Sequence, residues 1–212
     1  MDSWIDTVVD AQLLGSVFVT LFVIMDPPGT VPIFLALTSS MTGRQRVRAA
    51  RQAVAVAFAV IIAFAVFGRA LLDYLHISLP ALQGAGGLLL LLVALELLTG
   101  KDEAPASAEG VNVALVPLGT PLLAGPGAIV ATMVFVQSAN QSRHHPAAYV
   151  AIALGVLLVH VCLWLAMRFA GRIHRILGDG GTTLVTRIAG LLLSAIAVQL
   201  VADAVRAFVE QG

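Results

Sequence analysis

Apolar residues in this chain fall into six blocks, at roughly 11–38, 52–72, 79–99, 113–137, 147–167 and 184–205. About 20 consecutive apolar residues carry an α-helix across a bilayer. The second and fifth blocks meet that need simply, because 52–68 and 147–167 hold no Asp, Glu, Lys or Arg. The first block contains Asp26, the third Glu96, and the sixth Arg187 and Asp203. Backbone groups in lipid must bond within their own segment, so helix is the expectation for all six. Unbroken apolar runs such as 88–95 exclude the two-residue alternation of a membrane barrel. The pattern predicts an all-α polytopic membrane protein, with residues 1–212 forming one transmembrane domain.

Composition agrees. The 212 residues are 59% hydrophobic and 11% charged, against about 25% charged in a soluble domain. The formal net charge is zero, which removes the electrostatic case for a nucleic-acid partner. The lipid bilayer is the partner the pattern requires, and homo-oligomerisation is left open. Cys162 stands alone and forms no internal disulfide. Residues 1–10 carry Asp2, Asp6 and Asp10 and no basic residue. A cleaved leader has a basic start, so the first block is expected to remain.

Basic residues set the orientation. Arg44, Arg46, Arg48, Arg51, Lys101, Arg168, Arg172, Arg175 and Arg187 fall on one side, and Arg69, Arg143 and Arg206 on the other. The positive-inside rule makes the first group cytoplasmic and places both termini outside.

An internal repeat accompanies the six blocks. A shift of 103 lays Gly68-Arg69 on Gly171-Arg172, Gly87 on Gly190, Ala94 on Ala197, and Glu96 on Gln199. A shift of 98 lays Pro28-Gly29 on Pro126-Gly127. Three crossings per half is an odd number, so the halves, 11–100 and 113–208, are expected to be inverted. Secondary transporters are often built this way, with the substrate near the midplane between repeats.

Two segments break helix rules at matching places: Met25-Asp-Pro-Pro-Gly-Thr-Val-Pro32, and Pro117-Leu-Gly-Thr-Pro121 followed by Ala124-Gly-Pro-Gly-Ala128. Proline lacks an N–H and clashes with the preceding turn. The first and fourth crossings are therefore expected to be pairs of half-helices, the second halves starting near Gly29 and Gly127. Their exposed N–H groups and positive dipole ends suit a carboxylate. Asp26 is the acid within a break, and it would hold an ammonium, a coupling proton or Na⁺. Its bland alternative is an N-cap, with Pro27 at the favoured first helical position. The candidate substrate site is Asp26, Pro27, Pro28, Gly29, Thr30, Thr120, Gly125, Pro126, Gly127 and Ala128. Thr30 and Thr120 would either offer hydroxyls to a ligand or back-bond to their own helices.

Glu96 and Gln199 join Asp26 as candidate coupling or gating residues, against the plainer reading of an inter-helix hydrogen bond. Arg69 is expected to snorkel at the outer interface. Gly84, Gly86, Gly87 and Gly190 are expected to allow close helix packing. His160 and Cys162, two residues apart, face different directions on a helix, so no metal site or cofactor is expected there. Paired membrane aspartates and a nucleophile–base arrangement are both missing, so the chain does not read as an enzyme.

The segments Met25-Asp-Pro-Pro-Gly-Thr-Val-Pro-Ile-Phe34, Thr120-Pro-Leu-Leu-Ala-Gly-Pro-Gly-Ala-Ile129, Ala85–Glu96 and Thr186–Gln199 resemble those of the MarC family. The resemblance covers nearly the whole chain. It implies a six-helix bacterial inner-membrane protein, in a family where some members are described as transporters of small neutral amino acids. One departure stands out: the family usually has Asn where this chain has Thr30, which removes an amide from the first break. The leading expectation is a secondary transporter of a small neutral amino acid or similar zwitterion. Its rival is a non-transporting membrane protein with an assembly or regulatory role.

Overall fold

The structure is a computed structural model that describes residues 10–39, 41–99, 123–141 and 145–211. Seven helices occupy these segments: α1 (Ala11–Met25), α2 (Pro27–Leu37), α3 (Gly43–Tyr74), α4 (Leu79–Thr99), α5 (Pro126–Gln141), α6 (His145–Arg168) and α7 (Ala170–Gln211). There is no strand among the described residues. Five stretches are long and apolar enough to cross a membrane: Ala11–Val31, Gly43–Leu75, Leu79–Thr99, Pro146–Arg168 and Thr183–Glu210. Gly127–Asn140 is a shorter apolar helix. The start of the expected fourth crossing, with Pro117, Thr120 and Pro121, lies outside the described residues.

Local chemistry explains the boundaries. Asp10 caps α1 by accepting the Leu13 N–H at 2.9 Å. Thr42 and Gln45 form a reciprocal capping box at the start of α3. At 32 residues, α3 runs for about 48 Å, longer than the ~30 Å hydrocarbon layer. Its first turns, carrying Arg44, Arg46, Arg48 and Arg51, can therefore stand clear of the lipid. Ser78 caps α4 through the Ala81 N–H. The last helix is divided at Gly178, whose φ of 63° is a left-handed value that glycine adopts without a Cβ penalty.

Packing joins the helices in two regions. The larger core gathers Val17, Leu21, Met25, Phe34, Ile61 and Leu163 with residues of α5 and the turn before it. The smaller lies between α4 and α7, around Leu90, Ala94, Leu193 and Ala197. There the glycines do what their positions suggest. A Cβ on Gly87 would stand 2.8 Å from the Ala197 carbonyl oxygen, and one on Gly190 would stand 3.1 Å from that of Ala94. These pairs run in opposite order along the two helices, so α4 and α7 pack antiparallel. Gly86 admits Val130 of α5, Gly155 admits Val17 of α1, and Gly68 admits Met133 of α5.

The helix ends sort by charge. Phe58 of α3 meets His160 of α6 edge-on, with centroids 5.1 Å apart. Arg51 and Trp164 line the same groove one to two turns away. The arginine-bearing start of α3 thus lies beside the arginine-bearing end of α6. Arg168 and Arg172 both stack over Phe169, at 5.6 and 5.4 Å from its centroid.

Candidate functional site

The first break is narrower than the prolines suggest. It is a single residue, Asp26, in the left-handed region with φ 40° and ψ 70°. The second half-helix begins at Pro27, not near Gly29, which corrects the expected boundary. The physical reason is that the first turn of a helix has no intrahelical use for its N–H groups. Pro27 and Pro28 therefore sit there without cost. Pro32, one turn further on, forfeits a helical bond to the Pro28 carbonyl.

Asp26 closes both half-helices. Its N–H donates to the Phe22 carbonyl at 3.1 Å, ending α1. One carboxylate oxygen, Oδ1, accepts the Gly29 N–H at 3.1 Å, and its carbonyl accepts the Thr30 N–H at 2.9 Å, opening α2. The side chain folds so closely over the turn that a Cβ on Gly29 would be 1.9 Å from Oδ2. Gly29 is thus required for the space it leaves to the carboxylate. The residue is 8% exposed.

This arrangement changes what α2 offers a ligand. Pro27 and Pro28 have no N–H, Gly29 gives its own to Asp26, and Thr30 bonds the Asp26 carbonyl. No first-turn donor remains for a carboxylate in this conformation. The Thr30 hydroxyl also turns inward, donating to the Asp26 carbonyl at 2.9 Å, so back-bonding takes its proton.

The second break is built differently. Gly125 precedes α5 and its carbonyl accepts the N–H groups of Ala128 and Ile129 at 3.1 and 3.2 Å. Pro126 is the first helical residue and has no N–H. Among the described residues, these bonds leave the Gly127 N–H unused. Gly127 lies against α4, where an added Cβ would be 2.0 Å from Leu90 Cδ2. Ala128 is 1% exposed, and its carbonyl accepts the Thr132 hydroxyl at 2.8 Å. Met25 and Val31, flanking the first break, share one buried cluster with Leu123, Ala124 and Ala128 of the second. The fold thus gathers both breaks into one core, while Thr120 lies outside the described residues.

Glu96 and Gln199 are not brought together. Gly87 faces Ala197 and Gly190 faces Ala94, so antiparallel packing puts Glu96 and Gln199 at opposite ends of the α4–α7 pair. Both are exposed, and Gln199 donates to Asp203 of its own helix at 2.8 Å. The expected inter-helix bond is therefore corrected to an i,i+4 contact within α7. Arg69 pairs loosely with Asp73 at 3.9 Å and donates to Gln137 at 3.2 Å. Gln137 belongs to α5, and only the fold reveals that partnership. No group of three or more His, Cys, Asp or Glu side chains suits a metal among the described residues.

Residues 11–209 match the profile described as MarC family integral membrane protein. A UPF0056 membrane protein of Methanocaldococcus jannaschii is 38% identical, covering 93% of this chain and 98% of its own length. The UPF0056 membrane protein YvbG of Bacillus subtilis is 33% identical, over 87% of this chain and 90% of its own. The UPF0056 inner membrane protein MarC of Citrobacter koseri is 31% identical, over 92% and 94%. No solved structure matches the chain.

Proposed function

The chain belongs to the MarC family of integral membrane proteins, and from that premise we propose that it is a secondary transporter of small neutral amino acids or similar zwitterions in the bacterial inner membrane. The observation that carries this reading is Asp26: a buried acid at a one-residue helix break inside an apolar span. A charge at membrane depth is costly enough that function is its default explanation. Asp26 would receive the substrate ammonium or the coupling H⁺ or Na⁺. With the α2 donors consumed, the substrate carboxylate is assigned to the α5 N-terminus at Gly127, where the helix dipole favours an anion. Substrate reaches this core when the helices part, since Asp26 and Ala128 are almost wholly buried.

Two inverted three-helix halves would supply that motion by rocking against each other. Support comes from the α4–α7 contact: Gly87 meets Ala197 while its repeat partner Gly190 meets Ala94. Such reciprocity is what a two-fold relation produces. On this reading the arginine-rich ends are cytoplasmic and both termini lie outside.

A thermal-shift screen of purified protein with glycine, L-alanine and L-serine, with and without Na⁺ and across pH, tests the proposal. Ligand at 100 times its Kd adds about 2.7 kcal/mol, equivalent to roughly 5–10 °C for a chain of this size. An unchanged melting temperature with every zwitterion under every condition would favour a non-transporting assembly or regulatory role.

A further inference from the structure

A cavity of about 150 Å³ opens between the end of α3, the start of α4 and the far end of α5, away from both breaks. Arg69, Asp73, Ser78, Gln137 and Asn140 supply its polar lining, and Met133 is among its apolar wall residues. Arg69 follows Arg51 by 18 residues on one helix, about 27 Å, which is close to the hydrocarbon thickness. The cavity therefore lies at the membrane face opposite the arginine-rich ends.

Its chemistry is that of a cation and an anion held side by side at a water-exposed rim, with the Arg69 and Asp73 side chains 65% and 74% exposed. Arg69 Nε stands 3.9 Å from Asp73 Oδ2, too long for a hydrogen bond. Arg69 Nη1 donates to Gln137 Oε1 at 3.2 Å, and the Tyr149 hydroxyl donates to Asn140 Oδ1. Among the described residues, both amides use their oxygens within the protein, and their NH₂ groups stay available to a ligand. A guanidinium has five N–H donors, of which few are engaged here. At ~30 Å³ per water-sized group, the space takes about five such groups.

We infer that this cavity is a vestibular binding site for a small zwitterion, its anionic end held by Arg69 and Asn140 and its ammonium by Asp73. The site rests on the transporter reading for its purpose and stands apart from the breaks. Met133 forms its floor against Gly68, where an added Cβ would be 2.6 Å from Met133 Cε. Gly127 lies six residues, about 9 Å, further along α5. The vestibule thus opens onto the helix whose N-terminus is assigned to the substrate. The same chemistry could come from a free amino acid or from a phosphatidylethanolamine headgroup.

The test measures radiolabelled L-alanine binding to the full chain in detergent, and phosphatidylethanolamine retention by native mass spectrometry from mixed-lipid nanodiscs. Arg69→Gln and Asp73→Asn should each weaken L-alanine binding about tenfold, the loss of one charged hydrogen bond. The swap R69D/D73R re-forms the i,i+4 ion pair but places a carboxylate against Gln137 Oε1, so it should recover stability and not L-alanine binding; a merely structural pair would recover both. Ethylamine and propionate, each with one charge, should compete poorly. Retention of phosphatidylethanolamine that falls in Arg69→Gln, with no L-alanine binding, would assign the site to the headgroup.

Unchanged L-alanine affinity and lipid retention in both folded single variants would overturn the vestibule. Uptake measured alongside separates the two readings. Wild-type uptake with an unaltered KM in Arg69→Gln removes the vestibule and leaves the transporter. Charge-dependent binding without any uptake does the reverse.

Discussion

Replacing Gly87 with leucine is expected to disrupt the α4–α7 pair and lower stability by about 3 kcal/mol or more. Even the first added carbon would meet the Ala197 carbonyl oxygen and the Val201 Cγ2 methyl, both at 2.8 Å. A flexible side chain could move aside, but a helix carbonyl cannot move without its helix. Overpacking costs about 1–3 kcal/mol in ordinary cores, and this obstacle belongs at or beyond the upper end. Lipid supplies no hydrophobic drive to hold separated helices together, so close packing is itself the main attraction. The melting temperature should fall by about 10 °C, or the protein should lose its single peak in size-exclusion chromatography. Gly190→Leu should behave alike, since its Cβ would meet Leu97 and the Ala94 carbonyl. Gly15→Leu is the control, because no atom lies within 4 Å of the added carbon. Equal stability of all three variants would contradict the close α4–α7 contact.

Asp26→Ala is expected to cost about 2–4 kcal/mol, and Asp26→Asn less than ~1 kcal/mol. Alanine removes the acceptor of the Gly29 N–H and leaves that buried donor unpaired, a loss of about 1–3 kcal/mol. It also places a residue without a local hydrogen-bonding side chain in the left-handed region, at a further ~1–2 kcal/mol. Asparagine keeps both features, since its amide oxygen can cap and its backbone visits that region readily. Denaturation of the two variants in the same detergent checks the order. An alanine variant as stable as the asparagine one would show that the cap contributes nothing.

Much of this architecture is legible in the sequence, because hydropathy, proline and glycine act locally. The spans within α3, α4, α6 and α7, the interruption at Asp26 and the packing glycines all follow from rules that operate over a few residues. The exact restart of the helix did not follow. Proline reads as a breaker, yet Pro27 and Pro28 occupy the one turn that needs no N–H. Nor could the sequence show that Asp26 would consume the donor expected for a substrate, since that depends on how one side chain folds over Gly29. Glu96 and Gln199 occupy matching repeat positions, and antiparallel packing of α4 and α7 sends such positions to opposite ends of the pair. Arg69 is expected from the sequence to snorkel alone; its contacts with Asp73 and with Gln137, 68 residues away, come from the fold. Thr120 belongs to the stretch outside the described residues.

If the carboxylate of Asp26 takes part in transport beyond capping α2, uptake must fail in a folded asparagine variant. Wild-type protein and Asp26→Asn would be reconstituted at equal density, and radiolabelled L-alanine uptake followed with imposed proton and Na⁺ gradients. Gradient-driven uptake is expected from the wild type, and uptake at the level of empty liposomes from the folded asparagine variant. Uptake by Asp26→Asn at the wild-type rate would contradict that, leaving Asp26 as a helix cap alone.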